Sequence, residues 1–150
     1  MNIVVRKANI GDLDVLIDFQ FKMAKETEDL TLSLEVLKRG ITAGLNDEFK
    51  ATYYIAETDG EAAGSLMITK EWSDWRNVWV IWIQSVFVMK SMRGKGVYKS
   101  LYNHIKKIVE DNNYGGIRLY VDKTNTVAQK VYGNLGMNGE HYQLFEYMNN

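Results

Sequence analysis

The sequence predicts a mixed α/β fold: a mostly antiparallel central sheet of about six to seven strands, with four helices on its two faces. Three observations predict it. Apolar residues first recur at helical spacing, through Leu13–Met23 and again through Leu34–Leu45. The period then changes to two over three runs between Ala51 and Val88. After Val88 come a helix, a strand and another helix, the order of a crossover unit whose flanking strands are parallel neighbours.

Taken in order, Ile3-Val4-Val5-Arg6 is a short first strand, and Asn9 caps the helix that follows. Its stripe of Leu13, Leu16, Ile17, Gln20 and Met23 is broken by Lys25-Glu26-Thr27-Glu28-Asp29, which reads as a loop. A second helix covers Leu34 to Leu45. Ala51–Glu57 and Ala62–Lys70 form a hairpin, because Asp59-Gly60 supplies a turn in which glycine tolerates positive φ. Ser73-Asp74-Trp75-Arg76-Asn77 turns the chain into the β-branched and aromatic run Val78–Val88. Val97–Glu110 is helical, ending in Asn112-Asn113-Tyr114-Gly115-Gly116. Ile117–Asp122 is a strand. Thr124 or Asn125 caps a last helix to about Leu135, and the tail Asn138–Met148 reads as two short strands.

The totals bound the function. With 150 residues, 46% apolar and 25% charged, residues 1–150 form one domain able to bury a core. No apolar run approaches the roughly 20 residues of a membrane span, and Met1-Asn2-Ile3-Val4 does not open a signal peptide, so a cytoplasmic location without membrane attachment is expected. A net charge of −1 and a pI of about 6.1 disfavour a nucleic-acid partner. The absence of cysteine excludes disulfides, thiolate zinc sites and cysteine nucleophiles. His104 and His141 lack metal-ligand spacing, and no metal is expected.

Against that neutral background, Val86-Phe87-Val88-Met89-Lys90-Ser91-Met92-Arg93-Gly94-Lys95-Gly96-Val97-Tyr98-Lys99 stands out. It is a strand, a basic glycine loop and a helix start. The first N–H groups of a helix lack intrahelical partners and carry partial positive charge. Glycines ahead of them let the donors converge on an anion, and Lys90, Arg93, Lys95 and Lys99 add formal charge. A pyrophosphate is the natural guest. The P-loop pattern is absent, since Gly96 is followed by Val97-Tyr98; a dinucleotide fingerprint fails because Lys99 stands where its third glycine is needed.

The segment Arg93-Gly94-Lys95-Gly96-Val97-Tyr98 instead fills R-x-x-G-x-[GA], and resembles motif A of the GNAT-type acetyltransferases. Downstream, Asn125-x-x-Ala128-x-x-x-Tyr132-x-x-x-Gly136-Met137 resembles motif B of the same family. The resemblance covers essentially the whole chain. It implies acetyl-CoA as co-substrate, with Arg93, Gly94, Lys95, Gly96, Val97 and Tyr98 at its pyrophosphate. It further implies Val86, Phe87 and Val88 along the pantetheine arm, and Asn125 in contact with the cofactor. Tyr132 would stand near the sulfur as proton donor. Two departures matter: Tyr98 replaces the preferred Gly or Ala, and Gln84 stands where many relatives carry a carboxylate. An amide cannot accept a proton at neutral pH, so a direct base at Gln84 is disfavoured.

The implied reaction is acetyl transfer to a primary amine of a small molecule or peptide, by direct attack in a ternary complex. The alternatives are a transferase for another acyl donor and an acyl-CoA-binding module without transfer. Gln84 is the catalytic candidate beside Tyr132, and the N–H of Phe87 or Val88 is the oxyanion-donor candidate. Glu26 and Glu28 would favour a cationic acceptor if their loop lines its site. Trp72 and Trp75 lie near a turn, where exposed aromatics suit an acceptor pocket or a homodimer surface.

Overall fold

A computed structural model describes residues 1–149. The chain divides into two compact units, Met1–Arg118 and the remainder from Leu119. The first unit is a five-stranded sheet in the order β1-β2-β3-β4-β5. Its strands are β1 (Ile3–Lys7), β2 (Thr52–Thr58), β3 (Glu61–Ser73), β4 (Val78–Val88) and β5 (Ile117–Arg118). The first four pair antiparallel; β5 runs parallel to β4 through the crossover helix α3 (Val97–Asp111).

Helices α1 (Leu13–Glu28) and α2 (Leu34–Leu45) cover one face of this sheet and α3 the other. The alternation of β2 fixes the two sides. Tyr53 and Ile55 pack with Leu16 and Ile41 of α1 and α2, whereas Tyr54 meets His104 of α3, ring centroids 5.2 Å apart. Both faces of β2 are therefore covered, and Tyr53, Tyr54, Ile55 and Ala56 are all buried. Asn9 does cap, accepting from the Gly11 N–H at 2.9 Å in a short 3-10 turn that leads into α1.

Four expectations need correction. The sheet has five strands among the described residues, not six to seven. The strand expected over 117–122 is confined to Ile117–Arg118, which pair only with Ile81 and Trp82, and residues 137–149 form no strand. Alternating apolar residues make a strand only where a partner edge accepts their N–H groups, and Tyr142, Leu144, Phe145 and Tyr147 are exposed instead. Finally, Glu26 and Glu28 belong to the last turn of α1, not to a loop. Lys and Glu are good helix formers, so α1 outlasts its apolar stripe and stops at Asp29, whose φ of 49° is left-handed.

The second unit carries α4 (Thr126–Asn134), whose N-cap is Asn125.

Candidate active site

The long strand β4 carries the central irregularity of the fold. Ser65 of β3 pairs with Phe87, but Met67 pairs with Gln84, so Ser85 and Val86 together oppose Leu66. This is a β-bulge. Ser85 takes the left-handed conformation, φ 54°, and its carbonyl accepts a hydrogen bond from Gln20 Nε2 of α1 at 3.2 Å.

The bulge reverses which edge of β4 each N–H faces. The Ile81 N–H donates outward, to Gly116 O beside β5, at 3.0 Å; the Met89 N–H donates inward, to Ala63 O of β3, at 2.9 Å. In a regular strand, residues an even number apart face the same edge, so these two would agree. They disagree because one extra residue lies between them. Beyond the bulge, the Phe87 N–H therefore faces β3, and the Val88 N–H faces the outer edge that β5, ending at Arg118, leaves uncovered. Of these two N–H groups, that of Val88 is the one directed away from β3.

Past Val88 the chain enters the glycine loop. Gly94 and Gly96 have φ of 76° and 86°, conformations that an L side chain resists, and Gly96 is the N-cap of α3. A Cβ built at either glycine would meet nothing within 4 Å, so conformation and not crowding sets the preference for glycine there. Val97 is buried at the helix start and touches the position where Gly64 would carry a Cβ. Tyr98 does not crowd the loop: its ring stacks along α3 on Tyr102, centroids 6.3 Å apart and 20° between planes. Lys90, Lys95 and Lys99 are exposed around this helix start. The donor set of backbone N–H groups and lysines fits a pyrophosphate.

Arg93, the first residue of the loop motif, makes three contacts. Its Nε donates to Val88 O at 3.0 Å, its Nη2 pairs with Glu26 of α1 at 2.6 Å, and its guanidinium lies over the Phe87 ring. Phe87 in turn packs on Phe19 of α1, centroids 5.1 Å apart. Lys22, Glu26, Phe87, Met89, Lys90 and Ser91 line a cleft of about 430 Å³ at this junction. Glu28 is exposed one turn-end further along α1.

Gln84 lies just before the bulge, where its Nε2 donates to Thr69 Oγ1 of β3 at 2.7 Å. That contact leaves its carbonyl oxygen as the end able to receive an incoming donor. Glu71, the nearest carboxylate in β3, is held in an ion pair with Arg118. Trp72 packs edge-on against Trp79, and Trp75 is fully exposed at the hairpin tip. These tryptophans lie at the opposite end of β4 from the loop, roughly 30 Å away along the strand, so they are not brought together with Glu26.

In the second unit, Asn125 Oδ1 accepts from the Ala128 N–H at 3.0 Å, capping α4. Tyr132 is half-buried, and burial raises its phenol above the usual value of 10.0. It stays protonated through neutral pH. Among the described residues there is no cluster of three or more His, Asp or Glu side chains able to hold a metal ion, and no helix long and apolar enough to cross a membrane.

The sequence pointed to the loop, β4, Asn125 and Tyr132. It did not point to Gln20, whose place in an apolar stripe suggested packing alone, nor to the bulge, since Ser85 is not a residue type that announces positive φ.

Comparison with known proteins agrees with this geometry. The family model described as Acetyltransferase (GNAT) family matches residues 16–137. A solved structure of a possible acetyltransferase from Clostridium difficile 630 is 41% identical, with a TM-score of 0.91, covering 100% of this chain and 99% of that one. A ribosomal-protein-alanine N-acetyltransferase from Brucella melitensis biovar Abortus 2308 is 13% identical, with a TM-score of 0.80 over 99% of this chain and 100% of that one. AAC(6')-Iy in complex with the bisubstrate analogue CoA-S-monomethyl-acetylneamine is 19% identical, also with a TM-score of 0.80, over 100% of both chains. These last two share the fold. No curated protein matches the sequence significantly.

Proposed function

The chain belongs to the GNAT acetyltransferase family, and from that premise we propose that it moves the acetyl group of acetyl-CoA to a primary amine of a small molecule or peptide. Attack is direct, in a ternary complex, within one acetyltransferase domain spanning residues 1–150. The observation that carries this reading is the β4 bulge. It turns the Val88 N–H to the strand edge beyond the end of β5, immediately ahead of a glycine loop and helix start suited to a pyrophosphate.

The bound thioester supplies an activated acetyl carbon and a thiolate leaving group. The chain does the rest. Backbone N–H groups of the Gly94–Lys99 segment, with Arg93, Lys95 and Lys99, hold the pyrophosphate, and Val86 and Val88 present β4 to the pantetheine arm. The Val88 N–H stabilises the carbonyl oxygen as it gains negative charge, which costs no reorganisation because β4 already fixes its direction. Gln84, anchored through Thr69, orients the amine through its carbonyl oxygen. Solvent water takes the amine's proton, since Gln84 is an amide and Glu71 is ion-paired. Tyr132 donates its proton to the departing sulfur; its place in the motif and its retained proton support that role. The Asn125 Nδ2 contacts the cofactor while Oδ1 caps α4. Holding the reactants in line supplies up to roughly 7–11 kcal/mol.

Glu26 and Glu28 favour a cationic acceptor, and the exposed Trp72 and Trp75, at the far end of β4, suit a homodimer surface. The reading places the protein in the cytoplasm, with no metal. Thiol release from acetyl-CoA, measured across polyamines, aminoglycosides and short peptides, tests it. At least one amine should raise the rate above acetyl-CoA alone. Saturable acetyl-CoA binding with no amine-dependent release would favour the binding-module reading instead.

A further inference from the structure

Gln20 is one of two buried polar side chains in the first unit, only 6% exposed in the apolar face of α1. A buried carboxamide is costly unless hydrogen-bonded. Its partner is not another side chain but the carbonyl of Ser85, the one β4 residue in the left-handed region. At a bulge the extra residue drops out of the ladder, so this carbonyl needs a donor from outside the sheet, and α1 brings one. The neighbouring Phe19–Phe87 contact holds the same stretch of α1 against the same stretch of β4.

From this geometry we infer that Gln20 is a positioning residue for acetyl transfer: by holding the Ser85 carbonyl, it locks the bulge that directs the Val88 N–H outward. The inference rests on the transferase reading for its kinetic consequence, but not for its structural one. A serine at positive φ is strained, and the bulge could relax by slipping one residue along β3. A slip would restore regular alternation and turn the Val88 N–H toward β3. Gln20 opposes that slip because only the bulged form presents the Ser85 carbonyl to α1.

The test uses Gln20→Met, which keeps length and apolar volume but removes the donor. Without any ligand, amide exchange of Met89, whose N–H bond to Ala63 depends on the bulge, should become about tenfold faster. Exchange of Ile81, before the bulge, should stay unchanged. With acetyl-CoA and the best amine of the panel, kcat should fall by about tenfold or more. Ser85→Gly, added to Gln20→Met, should recover part of both losses, because glycine takes positive φ without strain. Equal acceleration at Ile81 and Met89, or unaltered exchange at both, overturns the inference. So does a loss of kcat that Ser85→Gly leaves untouched. If Gln20→Met does not fold, Gln20→Asn, whose shorter amide cannot reach Ser85, is measured in the same way. If the wild type releases no thiol with any amine, the transferase reading fails, while the exchange measurements still judge the clamp.

Discussion

The Arg93 guanidinium is paired with the Glu26 carboxylate at 2.6 Å, across 67 residues of sequence. The pair ties the glycine loop to the end of α1, and it occupies the cation that the motif assigns to a pyrophosphate. Both side chains are about two-fifths exposed, so the pair itself is worth at most about 1 kcal/mol. A pyrophosphate at the loop must compete with Glu26 for Arg93. Glu26→Gln should therefore lower the Kd of CoA by up to about fivefold in calorimetry, and Arg93→Ala should raise it by about tenfold or more. Weaker binding by Glu26→Gln would mean that Glu26 aims Arg93 rather than competing for it.

Gly64 is required by close approach, not by conformation. A Cβ there would lie 2.8 Å from Phe87 O and 3.0 Å from Val97 Cγ1. The first contact is backbone and cannot yield, so β4 would be pushed away just past its bulge, and α3 with it. Gly64→Ala should cost about 1–3 kcal/mol in denaturant unfolding and should weaken CoA binding as well.

Tyr132 carries a prediction about both rate and pH. Burial raises its phenol above 10.0, so the acid form persists across the neutral range. Tyr132→Phe should lower kcat by about a hundredfold or more, with CoA affinity unchanged. The wild-type kcat should show no loss on the alkaline side until beyond pH 10 from this group. An unchanged kcat in the phenylalanine variant would remove Tyr132 from the reaction.

Asp12 accepts two hydrogen bonds from Arg6, both 2.8 Å, and one from the Asn9 N–H at 2.9 Å. The Arg6 guanidinium, foremost, holds its carboxyl below the usual 3.8. A carboxyl so depressed stabilises the fold fully above 3.8, and that contribution is lost as pH falls through its folded value. Asp12→Asn should cost about 1–2 kcal/mol at neutral pH, reduced by solvent at the partly exposed Arg6. It should also flatten the fall of Tm on acidification below about pH 4.

Much of the fold was legible because single signals decided it. Val78–Val88 and Leu34–Leu45 run as the patterns predict, and Asp59-Gly60 makes the expected turn. The Glu26–Glu28 segment was misread because its solvent-facing helical turn has no apolar stripe to reveal it. The tail was misread because alternation marks a strand's capacity, while pairing depends on a distant edge. Locally, the left-handed glycines Gly94 and Gly96 and the helix cap at Asn125 were legible, because glycine chemistry and capping spacing marked them. The bulge was not, because Ser85 is held at positive φ by Gln20, a tertiary contact 65 residues away. The same gap hid the choice between Phe87 and Val88.

The central claim, transfer of acetyl from acetyl-CoA directly to an amine, is tested most directly by following the acetyl group itself. Acetyl-CoA labelled in the acetyl carbonyl is incubated with protein and each amine, and the products are resolved by mass spectrometry. The account predicts the label in an amide on one of the amines, formed in step with free thiol. Label found only in unreacted acetyl-CoA, or only in free acetate, would contradict it.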